Sequence, residues 1–279
     1  MRQNGSLLDR IIQLIDSGGL NLPVYNPVAL KLQEAIANKT EDVLEIEKII
    51  LSDQAIAAEV LRAANSPFFC GLSPVRTIRN AIVRLGTQQM RRLVILVSER
   101  AKYKALDADL HRLLGELWRH ASTTALAAQW LSKRLRATGI EEICFIGGLL
   151  HDIGKLIILR AVDEIKKAEG EGFSIPQDDL KDVLQTAHCE LGYRLLLGWR
   201  VPEIYCQIAR DHHAEDLSGD LPLAIVRLAN EGSRKLGLGL DPDPSLILSA
   251  TPEASLLKVS EILLAELEVM IEDHLSIAA

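Results

Sequence analysis

Helical periodicity runs through most of this chain, and it limits the possible folds more than any other feature of the sequence. Asn26-Pro27 sets a capping residue before a proline at the first helical position, and Val28, Leu32, Ala35 and Ile36 mark one apolar face, predicting a helix to about Asn38. Thr40 can cap the next helix, with Glu41 and Asp42 against the positive end of its dipole and Val43, Leu44, Ile46, Ile49 and Ile50 on its buried face. Asp53 opens another that ends near Asn65, and Thr77 begins one that Gly86 closes. The apolar run from Leu93 to Val97 fits a strand by periodicity alone, but its flanks, TQQMRRL and SERAKYKAL, favour helix. Further on, residues 109–136 read as a long helix stopped by Gly139, followed by a helix over 140–158. Pro202 starts a helix that reaches His212, another covers 221–236, and an amphipathic one spans roughly 252–275. No strand pattern and no internal repeat is visible, so the expected fold is all-α.

Composition supports that reading and narrows the function. Hydrophobic residues make up 48% of the 279, enough for a substantial core, whereas aromatic residues are only 4%. A net charge of −7 gives no general attraction to a phosphate backbone, so nucleic acid is not an expected partner. Cys70, Cys144, Cys189 and Cys206 show no CxxC spacing, which fits a reducing cytoplasm. No signal peptide is readable, and no apolar run approaches the roughly 20 residues of a membrane span. A boundary near residues 100–108 divides an N-terminal helical part, 1–105, from a second part, 106–279, expected to pack on it. Between Asn65 and Pro74 the stretch NSPFFCGLSP suits an ordered loop pinned by Phe68 and Phe69, and Asn65 and Ser66 can serve either that loop or a surface reporting to a partner. Trp118, Trp130 and Trp199 are expected in the core, His111 and His274 at the surface.

Histidine placement carries the chemistry. Glu116 and His120 are four apart and fall on one face of the long helix, where they can reach a common point. His151-Asp152 end the apolar run GGLLHDIGK at 147–155, with Lys155 one turn on; Gly147 and Gly148 allow a neighbouring helix to come close. His188, His212 and His213 follow. Imidazole and carboxylate are ligands that zinc, iron, manganese or nickel accept, and bundle metal sites are built by several helices supplying them. Taken singly, each piece also suits a core histidine or a solvated helix face.

The order of these pieces resembles the HD superfamily of metal-dependent phosphohydrolases, with LHDIGK at 150–155 as the second element. With the first half included, the match sharpens to the HDOD family, bacterial signalling domains related to the HD-GYP phosphodiesterases. The motifs are LPVYNPVALKL at 22–32, ILSDQAIAAEVLRAANSPFF at 50–69, TIRNAIVRLGTQQMRRLVI at 77–95, LWRHA at 117–121, IGGLLHDIGKL at 146–156, HCELGYRLLLGWRVP at 188–202 and IARDHHA at 208–214. The resemblance spans about residues 20–235. It implies an HDOD fold in a cytoplasmic signalling protein with a metal centre of one or two transition ions, iron first and manganese, nickel or zinc as alternatives. Its implied ligands are Glu116, His120, His151, Asp152, His188, His212 and His213, with Asp152 bridging two ions and Lys155 meeting a substrate phosphate if the site is active. It also implies a signalling partner protein, and a nucleotide or cyclic dinucleotide as ligand or as substrate of a phosphohydrolase. Two departures stand out. Asn230 occupies the place where relatives close the site with an aspartate, and an amide oxygen brings no charge. No GYP follows His213; AEDLSGDLPLA runs directly on instead.

Overall fold

The computed structural model describes residues 6–20, 31, 42–66, 69, 71, 73–170, 173–216 and 219–278, side chains as far as Asp273. The helix expected behind Asn26-Pro27, the Thr40 cap, Phe68, Cys70 and the His274 side chain lie outside what is described. Among the described residues there are helices and no strands, so the fold is all-α. Two compact units are present: Met1–Asn21 with Lys104–Glu272, and Leu22–Tyr103 with Asp273–Ala279.

In chain order, α1 (Leu7–Asp16) belongs to the larger unit, and α2 (Val43–Leu51), α3 (Gln54–Ala64), α4 (Ile78–Leu85) and α5 (Thr87–Arg100) form the smaller one. Side-chain oxygens set three of those starts: Asp42 accepts from the Leu44 N–H, Asp53 from those of Ala55 and Ile56, and Thr77 from that of Asn80. Asp42 caps α2, and Ile46 and Ile50 are its fully buried residues while Leu44 is exposed. Gly86 ends α4 at φ 78°, a backbone state open to glycine, and the Leu93–Val97 run is helical within α5. Asn65 anchors the loop that follows α3: its amide donates to the carbonyls of Leu61 and Val75, and its oxygen accepts from the Val75 N–H. Phe69 is buried there.

The larger unit is organised on α6 (Ala108–Arg134), which is capped by Asp107 and buried on nearly every side between Leu117 and Ser132. Such all-round burial makes it the centre of the unit. Against it lie α7 (Glu141–Leu150), α8 (Ile153–Glu169) and α12 (Leu221–Lys235); α9 (Gln177–Thr186), α10 (His188–Gly198) and α11 (Glu203–Asp211) complete the shell. The single helix expected over 140–158 is therefore two helices meeting at His151-Asp152, the second running to Glu169. The expected C-terminal helix is also divided, into α13 (Pro252–Leu256) and α14 (Glu261–Ala278). Lys258 takes a positive φ of 51° after α13, and the Val259 N–H closes back on the Ala254 carbonyl. Ser260 then caps the new helix through the Leu263 N–H. Trp118 is core as expected, whereas Trp130 and Trp199 are only half-buried, Trp130 beneath the Arg134 guanidinium and Trp199 at the C-cap of α10.

Glycines set the closest approaches. A Cβ on Gly148 would stand 2.8 Å from the Ala125 Cα of α6, and one on Gly154 would stand 1.9 Å from the His188 carbonyl oxygen. Gly192 of α10 faces Gly154 in turn, a Cβ there lying 3.1 Å from the Gly154 nitrogen. These are backbone contacts that no rotamer change relieves. Gly154→Ala is expected to destabilise the larger unit by about 3 kcal/mol or more, since overpacking against fixed backbone exceeds the usual cost. Gly115 sits in α6 with nothing within 4 Å of its virtual Cβ. Gly115→Ala should therefore stabilise by about 0.5–1 kcal/mol; urea unfolding of both variants against wild type checks the pair.

Candidate metal centre

Two helix ends deliver histidines to one point by the same local device. His151 and His212 stand immediately past α7 and α11, at the C-cap, and each Nδ1 meets the carbonyl three residues back, Gly148 at 2.7 Å and Ala209 at 2.9 Å. The contact satisfies a carbonyl at the helix end and puts the ring proton on Nδ1, so the Nε2 lone pair of each faces inward. At His151 the chain then turns: Asp152 leaves helical geometry at φ −100°, ψ 17°, and α8 restarts with the Lys155 N–H on the Asp152 carbonyl. His188 is the first residue of α10, and His120 comes from the middle of α6.

Asp152 is the hub. Its Oδ2 lies 3.5 Å from the Nε2 atoms of both His120 and His151, and its Oδ1 lies 3.6 Å from that of His188 and 3.4 Å from that of His212. Asp152, His188, His212 and His213 bring ligand atoms within 4.8 Å of one another, as do His120, His151 and Asp152. His120, His151, Asp152, His188, His212 and Asn230 are all buried, at 1–3% exposure. Lys155 donates to Asp152 Oδ2 at 2.9 Å.

Charge in this setting is tightly constrained. Burial, and the neighbouring His151, push the His120 imidazole down to about 3; burial likewise takes His188 to about 4 and His213 to about 3, and lowers His151 and His212. The rings are therefore neutral bases at neutral pH. Burial alone would raise the Asp152 carboxyl, but Lys155, His151, His212 and His188 outweigh it and hold the group well below the carboxylate range. The result is one carboxylate among electron-rich nitrogens that approach closely, His120 to His151 at 3.1 Å and His188 to His212 at 3.3 Å between Nε2 atoms. His120 Nδ1 and Asp152 Oδ1 have no hydrogen-bond partner although both are buried. The paired Nε2 atoms stand within hydrogen-bond reach of each other, and a cation between the two sets would take those nitrogens together with the open Asp152 oxygen, so these residues fit a metal.

Not every expected residue joins. Glu116 is turned toward Arg112, whose Nη1 donates to it at 2.8 Å, and it belongs to neither donor group. The four-residue spacing places Glu116 on the face of His120, but one turn nearer solvent, where a cation already holds it. Asn230 is buried in α12 beside the cluster. Sequence reasoning did not find Cys189, whose Sγ stands 3.3 Å from His188 Nε2 and whose thiol is pushed up to about 12, chiefly by burial. It also missed Gly239, which lies on the His120 ring at φ 94°. The glycines and prolines of GLGLDPDP at 237–244 are turn-forming residues, yet nothing in that stretch marks which ring it covers.

A pocket of about 750 Å³ leads to the cluster, lined at its inner end by His120, Asp152, Lys155, His188, His213 and Asn230. Aliphatic side chains from Leu110, Leu113, Val162, Leu180, Leu184 and Leu238 share its wall with polar ones, among them Asp109, Ser174, Gln177 and Gln185. Gly239→Ala is expected to cost about 1–2 kcal/mol from the left-handed backbone alone, and to shift the His120 imidazole resonances in an NMR spectrum while leaving those of His212 in place.

Comparison with known proteins agrees with this architecture. The profile of the HDOD domain matches residues 22–215. A solved HDOD domain protein with unknown function from Geobacter sulfurreducens superposes with a TM-score of 0.73 at 21% identity, covering 98% of each chain. A structure from Shewanella amazonensis SB2B, described as a candidate metal-dependent phosphohydrolase, gives 0.68 at 20% identity, over 96% of this chain and 98% of the other. At such identities the two likenesses establish the fold. An uncharacterized protein of Treponema pallidum (strain Nichols) is 26% identical over 197 residues, which are 69% of this chain and only 38% of that relative's length.

Proposed function

The chain belongs to the HDOD domain family, and on that premise we propose that it is a regulatory, signal-transducing protein that holds one or two transition ions at Asp152. The observation that carries this is the geometry of one buried carboxylate whose two oxygens each face a separate pair of histidine nitrogens. His120 and His151 would hold one ion, His188, His212 and His213 the other, with Asp152 shared. Imidazole-rich sets of this kind suit iron, and also manganese, nickel or zinc. Asn230 would complete the set through its amide oxygen. It adds no charge, which favours a resident regulatory metal over a hydrolytic one. The signalling partner would be a protein that reads the state of this centre.

A second reading, hydrolysis of a phosphoester such as a nucleotide or cyclic dinucleotide, is favoured by Lys155, which reaches the pocket while held on Asp152. A bound divalent metal supplies Lewis acidity toward a phosphoryl oxygen. Lys155 would place positive charge beside the non-bridging oxygens, and the buried rings would exclude bulk water from the inner end.

Elemental analysis by mass spectrometry of untagged protein, purified without chelator, tests the leading reading. Wild type should carry a transition metal, Asp152→Ala should fall to background, and Glu116→Gln should match wild type because Arg112 occupies that carboxylate. A metal-free wild type would sink the proposal. Asn230→Asp adds the missing charge and should retain metal longer than wild type against a competing chelator. Metal-loaded protein that hydrolyses a phosphoester in a panel of nucleotides and cyclic dinucleotides, with the activity lost in Asp152→Ala, would replace the regulatory reading by the enzymatic one.

A further inference from the structure

The pocket above the cluster has a chemical character that neither the metal ligands nor Lys155 explains. Outside the cluster it is lined by Leu110, Leu113, Val162, Leu180, Leu184 and Leu238, with Asp109, Ser174, Gln177 and Gln185 between them. Among the described residues no Phe, Tyr or Trp lines it, and its aromatic rings are the imidazoles at the inner end, so no aromatic surface for a nucleobase stands away from the cluster. The two guanidinium groups on the wall are already engaged: Arg112 by Glu116, and Arg234 by Glu231 and Asp241. Lys166 is held by Asp107, which leaves Lys181, exposed to solvent, as the wall cation with no carboxylate partner among the described residues. Positive charge not spent on the protein's own carboxylates would thus be concentrated at the inner end, once a metal is bound there. That arrangement suits one phosphate, and an aliphatic body behind it.

We propose that this pocket binds a phosphate monoester of a saturated aliphatic chain, with the phosphate at the Asp152 and histidine cluster and the chain along the leucine wall. The proposal rests on the metal reading for the phosphate end and on the wall alone for the chain. A pocket of about 750 Å³ lies within the range of small-molecule sites, and apolar burial is the term that would dominate affinity here. Each methylene fully buried tightens binding by up to about fourfold.

Isothermal titration of metal-loaded, full-length protein with inorganic phosphate, butyl phosphate, octyl phosphate and AMP tests this. Octyl phosphate should bind at least about tenfold more tightly than butyl phosphate, and AMP no more tightly than butyl phosphate. Leu180→Asp and Leu113→Gln, both at half-buried wall positions, should abolish the chain-length gain and leave the inorganic phosphate titration unchanged. Equal affinities for octyl and butyl phosphate, or AMP as the tightest ligand, would overturn the proposal, and the wild-type series decides this even if a variant misfolds. The same series on chelator-stripped protein separates the two readings. Chain-length dependence that survives with phosphate affinity unaltered by metal supports the aliphatic pocket and removes the metal from ligand binding. Metal retained without chain-length dependence refutes the pocket and leaves the centre standing.

Discussion

Gly154 has no space for a side chain, because the His188 carbonyl stands where a Cβ would be. That contact sets how α8 and α10 cross, and the site depends on the crossing. Asp152 lies just before α8 and His188 opens α10, so two backbones that touch at Gly154 present carboxylate and imidazole to each other at 3.6 Å. On the other side, Gly148 lets α7 rest on the backbone of α6 beside Ala125, which brings His151 to His120. Both approaches fail with any larger residue, and the side chains at the centre are carried by helices that small residues draw together.

The centre is costly for a protein to build without a cation. A buried carboxylate loses hydration worth several kcal/mol, and neutral imidazoles return only part of it. Lys155 compensates Asp152 on one oxygen; the other oxygen meets histidine nitrogens at distances longer than a good hydrogen bond.

Much of this was legible beforehand because it is local. Asp53, Thr77, Gly86 and Pro202 mark helix ends in the structure as in the sequence, since caps and stops act within one turn. The Gly147-Gly148 pair announced a close approach for the same reason. The break at His151-Asp152 was hidden, because its cause is a side chain taking the Gly148 carbonyl and an apolar pattern that continues on both sides. Glu116 misled: spacing places a residue on a face, but Arg112 determines where that carboxylate points.

Residue order by itself determined that the chain is helical, and it singled out His120, His151-Asp152, His188 and His212-His213 as candidate ligands. Periodicity is a property of neighbouring residues, and the motif order resembles that of the HDOD family. Only the tertiary structure decided that each Asp152 oxygen faces its own pair of rings, that Glu116 stays outside, and that Cys189, Gly239 and a leucine-lined pocket surround the centre. These residues lie far apart along the chain, and distance across a fold is set by packing of helix on helix, which no local pattern encodes.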